Sequence, residues 1–434
     1  MSSTAPINFD KNDDYPGGGR DTAVGPTDFP RPQVDSCARI TTRVYHPTQN
    51  KIATVKDVLV KTMISQKRNS SSEMSVSSSD SSFSSSSSSS HSEEWNANHE
   101  VGAAEPLGSD QEETAYWLQR TLREAIYGKV KQGVILRRRL PRNTAGSNEA
   151  EWEVTDKFCA VKEMSWSHIQ RHRGRLAEDP ITEVSAMHYL AQQHSELTPD
   201  AFMAYHHVVV PLDLLSDERC LYSVLPYCNG GELFDRLEQH EKFSEQEARY
   251  WMRQLLKGID CLHGHGICHR DISLENLLVN DDSCVIIDLG MCLRIPVSEQ
   301  SNHLRLLMQP QGTCGKWHYM SPEIALNREP FDGFAVDMWA AGVILFLMLT
   351  GFPPWERPLL TDDRFRYMTA GYLAPMLTEW KLELSPEAMD LLQRMLWHDA
   401  RDRLSLRQVR AHPWILNDDA AIPDGDRRAQ QPWA

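Results

Sequence analysis

The sequence predicts an α+β protein of two lobes, a small sheet-bearing lobe with one helix and a larger, mainly helical lobe, preceded by a disordered arm. Three observations predict it. Short β-branched and aromatic runs cluster between residues 116 and 225. From Ser244 onward apolar residues recur at helical spacing, with Ala248, Trp251, Leu255, Ile259 and Leu262 on one face. Residues 1–112 lack sustained apolar periodicity, carry Pro-Gly-Gly-Gly at 16–19, and hold a serine run, Ser84 to Ser90, inside a Ser-rich block from Asn69 to Ser92. Such composition cannot bury enough apolar surface to offset chain entropy.

Each element follows in order. Within the arm, Ile52, Val55, Val58, Leu59 and Met63 fit one short amphipathic helix over Lys51 to Ile64, either a docking motif or an untethered transient helix. Tyr116 to Leu122, Lys129 to Arg138, Trp152 to Lys162, Val208 to Leu214 and Cys220 to Leu225 read as five strands. A helix through Leu118, Leu122, Ala125 and Ile126 with Gly128 as terminator competes with the first of them; strand, loop and strand is preferred, because the helix would remove that strand. An extended turn falls at Pro141 to Asn148. Between the third and fourth strands, Pro180 opens a helix whose apolar positions include Ala186, Met187 and Leu190, with Glu183 near its first turn. Tyr227 to Gly231 forms a hinge, and Ser244 with Glu247 makes a capping box at the next long helix. The resulting domains are the arm (1–112), a first lobe (113–226), a second lobe (227–416) and a flexible tail (417–434).

The chemistry concentrates in a few polar residues. Asp271 and Asn276 stand five residues apart on one short loop, His269-Arg270-Asp271-Ile272-Ser273-Leu274-Glu275-Asn276, offering a candidate base and a candidate metal ligand. The apolar strand Cys284 to Ile287 delivers Asp288 ahead of Gly290, supplying a second metal ligand. Lys162 ends the apolar run Phe158 to Val161; alone it reads equally as a snorkelling strand lysine. Glu183 suits either an ion pair with Lys162 or the helix macrodipole, and the two roles are compatible.

These motifs, in this order, resemble the eukaryotic protein kinase family, most closely serine/threonine kinases of the calcium/calmodulin-dependent type. The resemblance runs from about Glu113 to Leu416 and adds Ser321-Pro322-Glu323, Asp337-Met338-Trp339-Ala340-Ala341-Gly342, Arg403 and His412-Pro413-Trp414. It implies the bilobal protein kinase fold, with a five-stranded antiparallel N-lobe. It implies ATP between the lobes, its adenine between Ala160 and Val130 above and Leu278 below, with Tyr227 and Cys228 at the hinge. Gly128 would be the one retained glycine of the phosphate-covering loop, Lys162 held by Glu183 would grip the α and β phosphates, and Asn276 and Asp288 would hold Mg²⁺. Asp271 would take the substrate proton. Glu323 and Arg403 would form a buried pair, and Asp337 would anchor the catalytic loop.

The departures are particular to this chain. Arg123 and Ala125 replace glycines of the phosphate loop, and Leu289 stands where Phe is usual. Ser273 stands where the family has a lysine and Lys316 where it has a threonine, so these two catalytic positions look exchanged. The expected function is therefore an ATP-dependent serine/threonine protein kinase in intracellular signalling; the alternative is a pseudokinase scaffold with little turnover. Tyrosine specificity is disfavoured by Ser273-Leu274-Glu275. Expected partners are protein substrates with upstream basic residues, read by Glu232 and Glu275 (Glu232 serving equally as a ribose contact). An upstream kinase is a further expected partner, with Thr313 near Arg270 as its target and Ser298 and Ser301 as more distant candidates.

Composition agrees. The chain has 434 residues and a formal charge of −15, which disfavours nonspecific nucleic-acid binding and suits basic peptides. Nine cysteines without C-x-x-C pairs indicate neither a zinc site nor a disulfide framework. Met1 to Asp14 has no apolar core and the apolar stretch Ala340 to Leu349 is too short to span a bilayer. The expected location is intracellular, cytoplasm or nucleus.

Overall fold

Seven strands close on themselves to make the first lobe, in the order β1-β2-β3-β4-β5-β7-β6, with β1 completing the ring. They are β1 (Asp35–His46), β2 (Lys51–Lys61), β3 (Thr114–Ala125), β4 (Gly128–Arg138), β5 (Trp152–Ser165), β6 (Asp213–Ser216) and β7 (Cys220–Pro226). This computed structural model describes residues 28–62, 113–139, 150–295, 297–298, 301–305 and 307–418. The serine block, the turn at 141–148, residues beyond 418 and the side chains of Ser298 and Ser301 lie outside the described residues.

Among the described residues, four of the seven strands are the expected ones and a fifth, β6, overlaps its expected span only at 213–214; the hairpin β1–β2 is a correction. Lys51–Lys61 is a strand, not a helix, and residues 35–61 belong to the folded lobe. The helical reading failed because of a bulge. Thr42 pairs with Val55 but Ile40 pairs with Val58, so β2 spends one residue more than its partner, and Asp57 sits at φ 62°. The extra residue puts Val55, Val58 and Leu59 on buried sides at a spacing that imitates a helix. β2 pairs with β3 through Val58↔Trp117, Leu59↔Tyr116 and Val60↔Ala115, so the Ser-rich segment joins two neighbouring strands.

Two further details differ. The strand expected over Val208 to Leu214 is displaced to β6, Asp213–Ser216, because Pro211 offers no N–H for the ladder and Val208 bridges to Ile286 of the second lobe. Among the described residues the first lobe carries three helices, not one: α1 (Trp166–His172), α2 (Pro180–Gln193, holding Glu183) and α3 (Pro199–His206).

The second lobe is mainly helical, with α4 (Leu233–His240), α5 (Glu245–Gly264), α6 (Pro322–Leu326) and α7 (Gly333–Thr350). Ser244 caps α5 by accepting from the Glu247 N–H at 3.2 Å, but only this half of the box forms. The Glu247 side chain turns to Trp251 instead. α7 is capped by Asp332 and stopped by Gly351 at φ 82°. Its 18 residues are long and apolar enough to cross a membrane, so the sequence argument from length falls; 89 % of it is buried in the protein, as the central helix of this lobe. Short strands β8 (Ile267–Cys268), β9 (Leu277–Asn280), β10 (Ser283–Ile286) and β11 (Leu293–Arg294) carry the loops that face the cleft.

Candidate active site

The loop after β8 is fixed from below. Asp337 of α7, 1 % exposed, accepts hydrogen bonds from the backbone N–H groups of His269 and Arg270, each at 2.9 Å, and lies 2.9 Å from His263 Nε2. Arg270 is thereby held at φ 69°, a conformation an L-residue adopts only under constraint. Asn276 Nδ2 donates to both the backbone oxygen and Oδ2 of Asp271 at 2.8 Å. Asp271 Oδ1 is buried with no hydrogen-bond partner among the described residues. Gly315, at φ 83°, leaves that oxygen room: a Cβ there would stand 3.2 Å from it. The site thus presents one vacant acceptor on a carboxylate whose other oxygen is pinned.

The β9–β10 hairpin links this loop to the next. Ile287 N–H donates to the Asn276 carbonyl and His269 Nε2 lies 3.0 Å from the Ile287 carbonyl. Asp288 follows at φ 66°, its Oδ1 accepting from Gly290 N–H at 3.2 Å. Asn276 and Asp288 are therefore held in one hydrogen-bonded unit. With its amide nitrogen committed to Asp271, Asn276 leaves its oxygen as the cation-binding end, and hard oxygen donors of this kind fit Mg²⁺.

The upper wall comes from the sheet. β4 and β5 pair Val130 with Lys162 and Gln132 with Ala160, so Val130, Lys162 and Ala160 share one face. Lys162 Nζ lies 2.6 Å from Glu183, 3.7 Å from Glu178 and 3.9 Å from Asp288. Burial opposes its charge, but the carboxylates, Glu183 foremost, outweigh burial and raise its pKa above the ordinary lysine value. Burial pushes Glu183 up to about 7 even though Lys162 pulls it down. Asp288 ends below its usual range, because Lys162 and the Gly290 N–H overcome the cost of its burial.

Glu178 escaped the sequence reading. It stands ahead of α2 in a loop with no pattern to mark it, yet its carboxylate and those of Glu183 and Asp288 lie within 4.8 Å of one another. Its carbonyl accepts from the Tyr127 hydroxyl at 2.7 Å, and the neighbouring Asp179 N–H donates to the Gly290 carbonyl at 2.8 Å. The tip of the β3–β4 hairpin, α2 and the Asp288 loop meet there.

The remaining candidates divide. Lys316 Nζ lies 2.8 Å from Ser273 Oγ and 3.5 Å from Asp271 Oδ2, so the two exchanged residues stand together beside the candidate base. Glu232, bridged to Leu278 at the hinge, pairs with Arg123 at 2.8 Å across the cleft mouth; sequence offered no sign of this partner. Cys228 packs against the main core, and Tyr227 lies against Phe158. Gly128 answers a local need: a Cβ would stand 1.9 Å from the Glu163 carbonyl of β5. The Arg270 guanidinium meets Cys314 Sγ at 2.6 Å, whereas Thr313 is exposed and the two are not paired. Glu323 and Arg403 form the expected pair in bidentate fashion at 2.6 and 2.8 Å. Leu289 is fully buried.

Comparison with known proteins adds to this geometry. Residues 148–415 match the family model of the protein kinase domain. Among curated proteins, fatty acyl-CoA synthetase and RNA processing-associated kinase 1 of Saccharomyces cerevisiae is 28 % identical over 305 residues, 69 % of this chain and 32 % of that protein. Serine/threonine-protein kinase SRK2G of Arabidopsis thaliana is 30 % identical over 272 residues, 60 % of this chain and 74 % of the relative. CBL-interacting protein kinase 26 of Oryza sativa subsp. japonica is 32 % identical over 238 residues, 55 % and 45 % of the two chains. The chain thus spans less than half the length of two of these three relatives.

Proposed function

The chain belongs to the protein kinase family, and from that premise we propose that it is an ATP-dependent serine/threonine kinase acting on protein hydroxyls. The observation that carries this reading is the Asp271 carboxylate, whose Oδ2 is held by Asn276 while its Oδ1 has no hydrogen-bond partner among the described residues, together with the Lys162–Glu183 pair. In this reading Asp271 orients the substrate hydroxyl and accepts its proton on Oδ1, while Asn276 keeps the other oxygen turned away. Lys162, positioned by Glu183, binds the α and β phosphates. Asp288 and Asn276 would hold Mg²⁺, which neutralises phosphate charge when bound with the nucleotide. Lys316 supplies a cation at the γ-phosphate and Ser273 fixes its ammonium through the 2.8 Å contact. Catalysis then rests on in-line geometry and charge neutralisation rather than covalent chemistry.

Two finer points belong to the same proposal. Glu232 and Glu275 favour substrates with basic residues upstream of the hydroxyl, consistent with the overall charge of −15. An intracellular location is supported by nine cysteines that are all free thiols. The test is transfer of labelled phosphate from Mg-ATP to a degenerate peptide library, with Asp271→Asn as control. Transfer to Ser and Thr peptides that the control lacks supports the reading; a parent chain that transfers nothing overturns it.

A further inference from the structure

The segment ahead of β1 crosses the outer side of α2. Phe29 and Val34 pack against the main hydrophobic core. The Phe29 ring lies 6.0 Å from that of Tyr189 on α2, and the Arg294 guanidinium sits over Tyr189 at 4.9 Å. Arg294 also donates to the Asp28 carbonyl at 3.0 Å. Further along, Gln33 N–H donates to His188 Nε2 at 3.3 Å. β1 then anchors the segment by pairing Asp35 with Leu215 and Ser36 with Ser216 of β6.

These contacts join two elements that must agree for phosphoryl transfer, the Glu183 helix and the loop bearing Asp288. Tyr189 stands less than two turns beyond Glu183 on the same helix, so a rotation that carries Tyr189 outward also draws Glu183 from Lys162. Arg294 belongs to β11, which continues the loop bearing Asp288. The segment therefore ties the Glu183 helix to the Asp288 loop from outside the cleft. It lies wholly outside the part of the chain that matches the protein kinase domain.

We infer that residues 28–34 are a positioning strap, built into this chain, that holds α2 with Glu183 on Lys162 through the Phe29–Tyr189–Arg294 stack. The inference rests on the kinase reading above. Asp28, Phe29 and Gln33 act through α2 and Arg294.

The test compares the full chain with a version lacking residues 1–34 and with Phe29→Ala in the intact chain. In the shortened chain kcat falls roughly tenfold, within the usual range for coupling between distant sites, while KM for the peptide stays within a factor of about two. A synthetic peptide of residues 26–34 added in trans restores kcat. Unchanged kcat, or a loss the peptide does not repair, overturns the strap. Should the shortened chain fail to fold, Phe29→Ala decides: kcat lowered at unchanged melting temperature, and recovered in Phe29→Tyr, supports it. An unchanged kcat, or one that falls only with the melting temperature, overturns it. A parent chain without transfer activity refutes the kinase reading instead, and the two failures are told apart by that control.

Discussion

The loop that carries Asp271 and the hairpin that covers the phosphate region face one another across the same cleft, yet they are held in opposite ways. Below, a single buried carboxylate, Asp337, satisfies two backbone N–H groups and faces the His263 imidazole, and Asn276 and Ile287 extend that network to Asp288. Above, β3 and β4 turn through Ile126 and Tyr127, and the arm of the hairpin reaches the hinge through Arg123–Glu232, whose side chains are 60 % and 26 % exposed. Breaking a buried hydrogen-bond network is costly, whereas an exposed pair contributes about 0–1 kcal/mol. The tip of the hairpin is itself anchored, Tyr127 being buried with its hydroxyl on the Glu178 carbonyl, so the weak contact lies along its arm: in the proposed reading the chemistry rests on the immobile loop, and the exposed Arg123–Glu232 pair is the contact able to open.

The largest effects should come from the immobile half and its Lys162 counterpart. Lys162→Met and Asp288→Ala should each lower phosphate transfer by more than roughly a hundredfold, as expected for groups that stabilise transition-state charge. Circular dichroism melting should show both variants folded, since Met keeps the unbranched apolar stem of the buried Lys162 and Asp288 is only half-buried. A folded variant with near-normal turnover removes that residue from the mechanism.

The exchange of Ser273 and Lys316 tests how local the rigidity is. Lys316→Thr alone should impair kcat severely, by about tenfold or more, because the cation proposed for the γ-phosphate, held beside Asp271 by Ser273, is lost. The double variant Ser273→Lys with Lys316→Thr should recover a substantial part, the non-additive pattern of groups that share one task. A fully active Lys316→Thr enzyme ends the idea.

A pH titration probes the contact between the two halves. Burial raises Glu183 to about 7 from its usual 4.5, so the fold favours its protonated form. The stability this contributes is complete below about 4.5 and is lost as pH climbs through about 7. Activity should run the other way, since ionised Glu183 grips the Lys162 ammonium more firmly. In the parent enzyme kcat/KM should rise through a limb centred near 7 while the melting temperature declines. Glu183→Gln should lose both dependences. Survival of the rising limb in that variant assigns it to another group.

Much of the immobile half was legible in the sequence, because its residues sit at short, fixed offsets. Asp271 and Asn276 share one loop, and Asp288 follows a strand of four apolar residues; local backbone geometry translates such spacing directly into position. Asp337 and the Glu323–Arg403 pair were read from motifs in the same manner. What escaped depends on long-range registry. The bulge at Asp57 disguised β2 as a helix, since one extra residue turns a period of two into a spacing of three. Glu178 and Arg123 meet partners 110 and 109 positions away, Asp288 and Glu232, and no local pattern encodes either meeting.

The smallest expected effect belongs to that last pair, and it decides between two uses of Glu232. While Arg123 occupies the carboxylate, a basic substrate side chain must compete with it; if Glu232 instead serves only the ribose, no such competition exists. Arg123→Ala should therefore lower KM for a peptide with arginine upstream of the hydroxyl and leave KM for its neutral counterpart unchanged. Because exposed ion pairs contribute at most about 1 kcal/mol, the gain is limited to about fivefold. Salt supplies the second arm: at ionic strength near 0.5 M the pair is screened in the parent as well, and the difference between parent and variant should shrink toward nothing. Glu232→Gln should erase the preference for the basic peptide in either background. If Arg123→Ala changes KM for both peptides alike, or for ATP alone, Glu232 reads the nucleotide and not the substrate.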